Sequence, residues 1–215
     1  MFAREMGARF VVQVGNTGQD VDWGLEPLAL VSSEVAIRGK GLTYHQEMDP
    51  VPYDPKPAVQ TNAASFVNCM NSMGFCFDLL EQARSLGQWV ETFGIDGSMV
   101  VKPYSRLVKA MGLYGWGWHD KAQGDGFGHV IHSWAAVGRP LIGHASHYRG
   151  RMAEPFWRDM ETCIDLDRHP IKEVVDIIQT MDAETHRGMR EAIRAEFERQ
   201  VDYEAEAEAI RAFLA

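Results

Sequence analysis

The sequence predicts an α/β domain with a mainly parallel sheet, and three observations predict it. From about residue 58 onward, short apolar runs of strand length alternate with stretches at helical spacing. The proline-dense stretch Asp49-Pro50-Val51-Pro52-Tyr53-Asp54-Pro55-Lys56-Pro57 separates this alternating part from what precedes it. Proline fixes φ and continues neither a helix nor a central strand, so this stretch reads as an extended connector. The 215 residues are 46% hydrophobic and 24% charged, which is the balance of a folded chain with a real core.

Before the connector, Phe10-Val11-Val12-Gln13-Val14 ends at Gly15-Asn16 and reads as a buried strand with its turn. Leu28-Ala29-Leu30-Val31 and Val35-Ala36-Ile37 are further strand candidates, followed by Gly41 to Glu47. After the connector, Ala64 to Val67 reads as a strand, Phe75 to Leu86 as a helix and Gln88 to Phe93 as a strand. Val100 to Met111 carries a helical pattern with Pro103 in its first turn. Gly124 to Gly128 is a glycine-rich loop. The helix after it shows Val130, Ile131, Trp134 and Val137 on one face and stops at Gly138. Pro140-Leu141-Ile142-Gly143 reads as a short buried strand, the last of the sheet. Three helical stripes close the chain: Ile171 to Met181 behind Pro170, then Met189, Ile193 and Phe197, then Tyr203, Ala207, Ile210 and Leu214.

The formal charge is −9, which argues against a broad nucleic-acid surface. It is unevenly spread. Lys102, Arg106, Lys109, Lys121, Arg139, Arg149, Arg151 and Arg158 face only Asp120, Asp125 and Glu154 over residues 102–158, so that stretch is +5 and the rest −14. A basic island of this kind suits a compact anionic ligand such as a phosphate group; chance clustering on a solvated face is the alternative. Cys69, Cys76 and Cys163 are odd in number and form no C-x-x-C pair, so neither a disulfide framework nor a cysteine zinc site is expected. No apolar run approaches the ~20 residues of a membrane span, and the first nine residues lack an apolar signal core. The expected setting is reducing and cytoplasmic.

The chemistry concentrates between Gly124 and Ile142: a glycine loop, a short helix, a glycine stop and a buried strand. Glycines let backbone approach a ligand closely, and a helix start offers unpaired N–H groups and a positive dipole end that suit a diphosphate. A nicotinamide fingerprint fails on spacing, since the loop reads G-x-G-x-G. It also fails on context, since Trp116 to Lys121 reads as a poor buried strand. No G-K-[ST] follows, so this is not a P-loop either. His129 near the helix start can donate to a phosphate or sugar oxygen. His129-x-x-His132 and His144-x-x-His147, with His119 nearby, form a zinc-like pattern without a supporting acid pair, and no metal is expected from it. His45 reads as a surface hydrogen-bonding residue, with an acid, base or sugar-contacting role as the alternative. Trp134 falls on the apolar helix face. Trp116 and Trp118 read as core, with stacking on a base or sugar as the alternative. Arg149, Arg151 and Arg158 either extend a phosphate-binding surface or lie on the loop after the last strand.

This segment resembles the C-terminal, donor-binding half of GT-B-fold glycosyltransferases, in particular the retaining group whose signature runs E-G-F-G and then E-A-x-A-x-G-x-P. The matching positions are Gly126, Phe127, Gly128, Ala136, Gly138, Pro140, Leu141 and Ile142. The resemblance extends more loosely from about Val59 to the C-terminus. It implies a Rossmann-like sheet of the GT-B C-terminal-domain type over residues 58–215. Residues 1–57 would then be a remnant of a first, acceptor-side domain and the crossover. It also implies a nucleotide-sugar donor as substrate and no required metal or other cofactor.

Asp125 falls where the family's first glutamate contacts the donor sugar hydroxyls, and is the implied catalytic residue. Ser133 falls where the second glutamate holds the ribose, with His132 beside it. Gly126, Phe127, Gly128 and His129 complete the implied donor-binding set. The family carries an Arg and a Lys after the first strand of this domain; the corresponding loop, Asn68-Cys69-Met70-Asn71-Ser72, holds no base, and Lys121 is the replacement this sequence offers. The leading expectation is a glycosyltransferase acting on an unidentified acceptor. The alternatives are a non-catalytic binding module or partner subunit of a split transferase, and a sugar-nucleotide epimerase. A two-domain transferase needs roughly twice one such domain, so the expectation is either a second chain supplying the acceptor half or a truncated or split enzyme.

Overall fold

A computed structural model describes residues 11–14, 28–31, 41–45, 59–67, 76–94, 97, 99–101, 106–121, 125 and 127–215. The strand candidate Val35 to Ile37, the proline connector and Pro103 lie outside these residues. Strands β1 (Val11–Val14), β2 (Leu28–Val31) and β3 (Gly41–Thr43) form a three-stranded parallel sheet in that order.

The second sheet is five-stranded and wholly parallel. Its strands are β4 (Val59–Phe66), β5 (Val90–Phe93), β6 (Tyr114–Trp118), β7 (Leu141–Gly143) and β8 (Cys163–Asp165), in the order β5-β4-β6-β7-β8. The helices are α1 (Phe77–Ser85), α2 (Leu107–Met111), α3 (His129–Ala136), α4 (Ile171–Thr180), α5 (Ala183–Gln200) and α6 (Tyr203–Leu214).

Strand side chains alternate between faces, so neighbouring residues enter different cores. Ala63, Ile142 and Ile164 join Leu80 of α1 and Val174, Val175 and Ile178 of α4. Ala64, Leu141 and Cys163 join Met111 of α2 and Ile131 and Trp134 of α3. Helix α5 serves both cores, with Met189 in the first and Ile193 in the second.

Two readings of the sequence need correction. The stretch from Trp116, taken above as a poor strand, is part of β6, between β4 and β7 in the sheet. Its two tryptophans are fully buried in the first core. Its glycines make the fit possible: a Cβ on Gly117 would lie 2.5 Å from the Trp134 ring, and one on Gly115 would lie 2.4 Å from the Gln60 carbonyl oxygen. The Trp116 indole donates to that same carbonyl at 2.8 Å. The case against a nicotinamide fingerprint therefore rests on glycine spacing alone. The strand at Leu141 is also not the last. Cys163-Ile164-Asp165 pairs beyond it as the sheet edge, a strand too short to show a period.

Other expectations hold with shifted bounds. Strand β4 starts at Val59 rather than Ala64, and α2 lies within the stretch expected to be helical, of which residues 102–105 are outside the described residues. Helix α3 ends as expected at Gly138, with φ +63°. The Gly138 N–H donates to Ala135 and the Arg139 N–H to Trp134, the paired bonds of a glycine-terminated helix.

Candidate functional site

In parallel α/β sheets, ligands gather beyond the carboxyl ends of the strands. Here the central strand β6 runs out into His119, Asp120 and Lys121, β7 into His144, and β8 into Asp167. The glycine loop then leads into α3. Gly128 caps that helix in a left-handed conformation, φ +75°, and no side chain caps its first turn.

Asp125 is the focus of this edge. One of its carboxylate oxygens accepts from the His119 Nε2 at 2.7 Å, and the other pairs with the Lys121 ammonium. Arg151 Nη1 donates to the Asp125 backbone carbonyl at 3.1 Å. Burial by itself would raise the Asp125 pKa. Hydrogen bonds and charge from His119 and Lys121 outweigh it and hold the carboxyl well below the usual carboxylate range. The group is therefore an anion and a pure acceptor at neutral pH.

The remaining expected residues divide. Phe127 is buried and stacks on the His132 ring, with centroids 4.2 Å apart. His129 is half-buried at the start of α3, and burial pushes its pKa down. His132 is fully buried, with Nδ1 3.0 Å from the Gly128 carbonyl oxygen; burial pushes its pKa down to about 3. Ser133 is buried too, and its hydroxyl donates to the His129 carbonyl at 2.9 Å. His132 Nδ1 and the Ser133 hydroxyl thus bond within the loop and helix that carry them, while His132 Nε2 is buried without a partner. Gly126 and the loop Asn68–Ser72 lie outside the described residues.

Part of the basic island is engaged within the protein. Arg139 is buried and donates to the carbonyls of Tyr114, Gly112, Val137 and Gly138. Arg158 pairs with Glu161 and Glu196. Among the described residues no three His, Cys, Asp or Glu side chains converge as metal ligands.

Sequence reasoning did not assign the contacts of three groups here. His119 is the first; it was noted only beside the zinc-like histidine pattern. The second is the pair of His144 and Asp167, 2.9 Å apart, with Asp120 3.8 Å from the far side of the imidazole. Hydrogen bonds from Ser146 and His144 hold Asp167 at about 2 against the opposing effect of burial, whereas burial raises the Asp120 pKa. The third is Glu206 of α6, which accepts from His45 and seats its ring beside Phe127 and His132. His45 therefore packs on the glycine loop.

No protein-family model matches the sequence, and a search of curated proteins returns no match. Solved structures do match. Anabaena Alr3699/HepE in complex with UDP is 12% identical and superposes with a TM-score of 0.70 over 99% of this chain and 73% of that one. The same protein with UDP-glucose gives 0.69 over the same shares. S. aureus TarM, a variant in complex with fondaparinux, alpha-GlcNAc-glycerol and UDP, is 10% identical and gives 0.70 over 96% of this chain and 50% of that one.

The fold is that of the GT-B glycosyltransferases. The five-stranded parallel sheet with its flanking helices is the Rossmann-like sheet expected from the sequence, and the chain spans about half of TarM and under three quarters of HepE. No described helix is long and apolar enough to cross a membrane.

Proposed function

We propose that this chain binds a nucleotide sugar, with UDP-sugars the first candidates, and takes part in transferring the sugar to an acceptor. The observation that carries the reading is the Asp125 carboxylate. It is held ionised by His119 and Lys121 at the end of the central strand, one loop before the start of α3, which no side chain caps. The solved structures of this fold that hold UDP and UDP-glucose support the choice of ligand.

In this reading the diphosphate lies on the N–H groups of the first turn of α3, where the helix dipole favours an anion. Asp125 accepts from sugar hydroxyls through lone pairs that His119 and Lys121 leave open. As the bond from the anomeric carbon to the diphosphate oxygen breaks and the acceptor hydroxyl oxygen bonds to that carbon, the leaving diphosphate carries away the electron pair and takes up the proton that the acceptor hydroxyl loses. The helix start and Lys121 stabilise that charge electrostatically, with no metal required. Residues 58–215 form the donor half and residues 1–57 the acceptor-side remnant and crossover.

A second reading, a non-catalytic sugar-nucleotide-binding module, is favoured by one observation: the Lys121 ammonium is already paired with Asp125. A donor-hydrolysis and transfer assay across nucleotide sugars, run beside Asp125→Ala, separates the two. Turnover that falls by about 10- to 100-fold in Asp125→Ala, the value of a charged hydrogen bond, supports transfer. Binding without turnover supports the module. Neither binding nor turnover of any nucleotide sugar overturns both.

A further inference from the structure

We infer that His119 is a positioning residue: it fixes the Asp125 carboxylate in the orientation that receives the sugar. The inference rests on the reading of Asp125 as the sugar-contacting group and extends it to a residue that the sequence resemblance does not assign.

The two residues stand on different elements of the fold. His119 continues the β6–β7 ladder, its N–H donating to the Ile142 carbonyl at 2.8 Å. Its carbonyl packs so closely on Gly143 that a Cβ there would lie 2.3 Å away. Asp125 sits on the loop between that ladder and α3. A carboxylate on a loop gains direction when a group on the sheet binds it, which is how binding geometries are held to within fractions of an ångström.

A histidine that merely filled the core would show a different pattern. His119 is 1% exposed, and its Nδ1 has no hydrogen-bond partner. The bond to Asp125 is the one its side chain makes in return for burial of the ring. An apolar side chain would fill the same space without burying an unpaired nitrogen. The orphaned Nδ1 shows that the ring is not there to complete an internal polar network; what the residue delivers is Nε2 at Asp125. Lys121 reaches the other carboxylate oxygen from a position only four residues away and contributes charge. His119 contributes a planar, directional donor from the sheet.

The test is calorimetric titration of UDP-glucose and, separately, of UDP into the wild-type chain and into His119→Leu, His119→Gln, Asp125→Ala and the double variant His119→Leu/Asp125→Ala. The expected result is a loss of about tenfold or more in UDP-glucose affinity for His119→Leu, with UDP affinity unchanged. Gln, whose amide can donate to the carboxylate, restores most of the loss. The double variant loses no more than Asp125→Ala alone, the non-additivity of residues acting as one unit. If the Leu variant does not fold, His119→Asn, whose shorter amide does not reach Asp125, takes its place. An unchanged ratio of UDP-glucose to UDP affinity, or fully additive losses, overturns the role of His119 while leaving the functional reading intact. A wild-type chain that binds neither ligand overturns the functional reading, and this role with it.

Discussion

His45 and Glu206 are 161 residues apart in sequence and joined twice: the His45 backbone N–H donates to one carboxylate oxygen at 2.8 Å, and Nδ1 lies 2.6 Å from the other. The contact ties the segment after β3 to the last helix and holds the imidazole beside the glycine loop. Both side chains are largely buried, at 13% and 20% exposure, so the pair is less screened than a surface ion pair. Glu206→Ala removes both bonds and is expected to cost about 1–3 kcal/mol, read as a lower urea midpoint at unchanged m-value.

Gly117 has no room for added volume. An alanine there would place its Cβ 2.5 Å from the Trp134 ring, inside a core where the indole is fully buried. Gly117→Ala is expected to destabilise by about 1–3 kcal/mol or more through overpacking. Pairing it with Trp134→Phe, which opens space, is expected to recover part of that loss in the same denaturation experiment.

The buried imidazoles make the protein sensitive to acid. His132 has its pKa pushed down to about 3 and His186 to about 4, in both cases chiefly by burial. Below the ordinary histidine value of 6.5 the unfolded chain binds protons that the folded chain refuses, so stability falls as pH drops from about 6.5 toward the folded values. Each such histidine contributes a slope of about 1.4 kcal/mol per pH unit at full effect. His132→Leu is expected to flatten the acid limb of a stability–pH curve by one proton and to leave the curve above pH 7 parallel to wild type.

Two thiols are expected to be inert at neutral pH. Burial and the neighbouring Asp120 carboxyl push the Cys76 thiol up to about 11, and burial pushes Cys163 higher still. In a Cys69→Ser background, iodoacetamide labelling at pH 8 is expected to be far slower than for a free thiol and to rise only as the pH approaches the Cys76 value. Labelling at the rate of a free thiol would contradict the placement of Cys76 beside Asp120.

Much of this architecture was legible in the sequence because periodicity carries it. Helices α4 and α5 show apolar residues at helical spacing, and the Gly138 stop was readable from residue type alone. Strand β6 was not, because the two glycines of Tyr-Gly-Trp-Gly-Trp are disfavoured in a strand until one knows that Trp134 needs the space Gly117 leaves. Strand β8 has three residues and shows no period. In the site, Asp125 was legible through the pattern around it. His119 was not, because its partner lies across a turn that the sequence does not orient. His45 and Glu206 meet only through the tertiary fold, and no local signal marks either.

A crystal structure of the chain with UDP-glucose tests the central claim most directly. The account predicts diphosphate oxygens on the first-turn N–H groups of α3 and a glucose hydroxyl on the Asp125 carboxylate, with His119 still bonded to that carboxylate. UDP-glucose bound away from this edge, or bound with Asp125 out of contact, would contradict it.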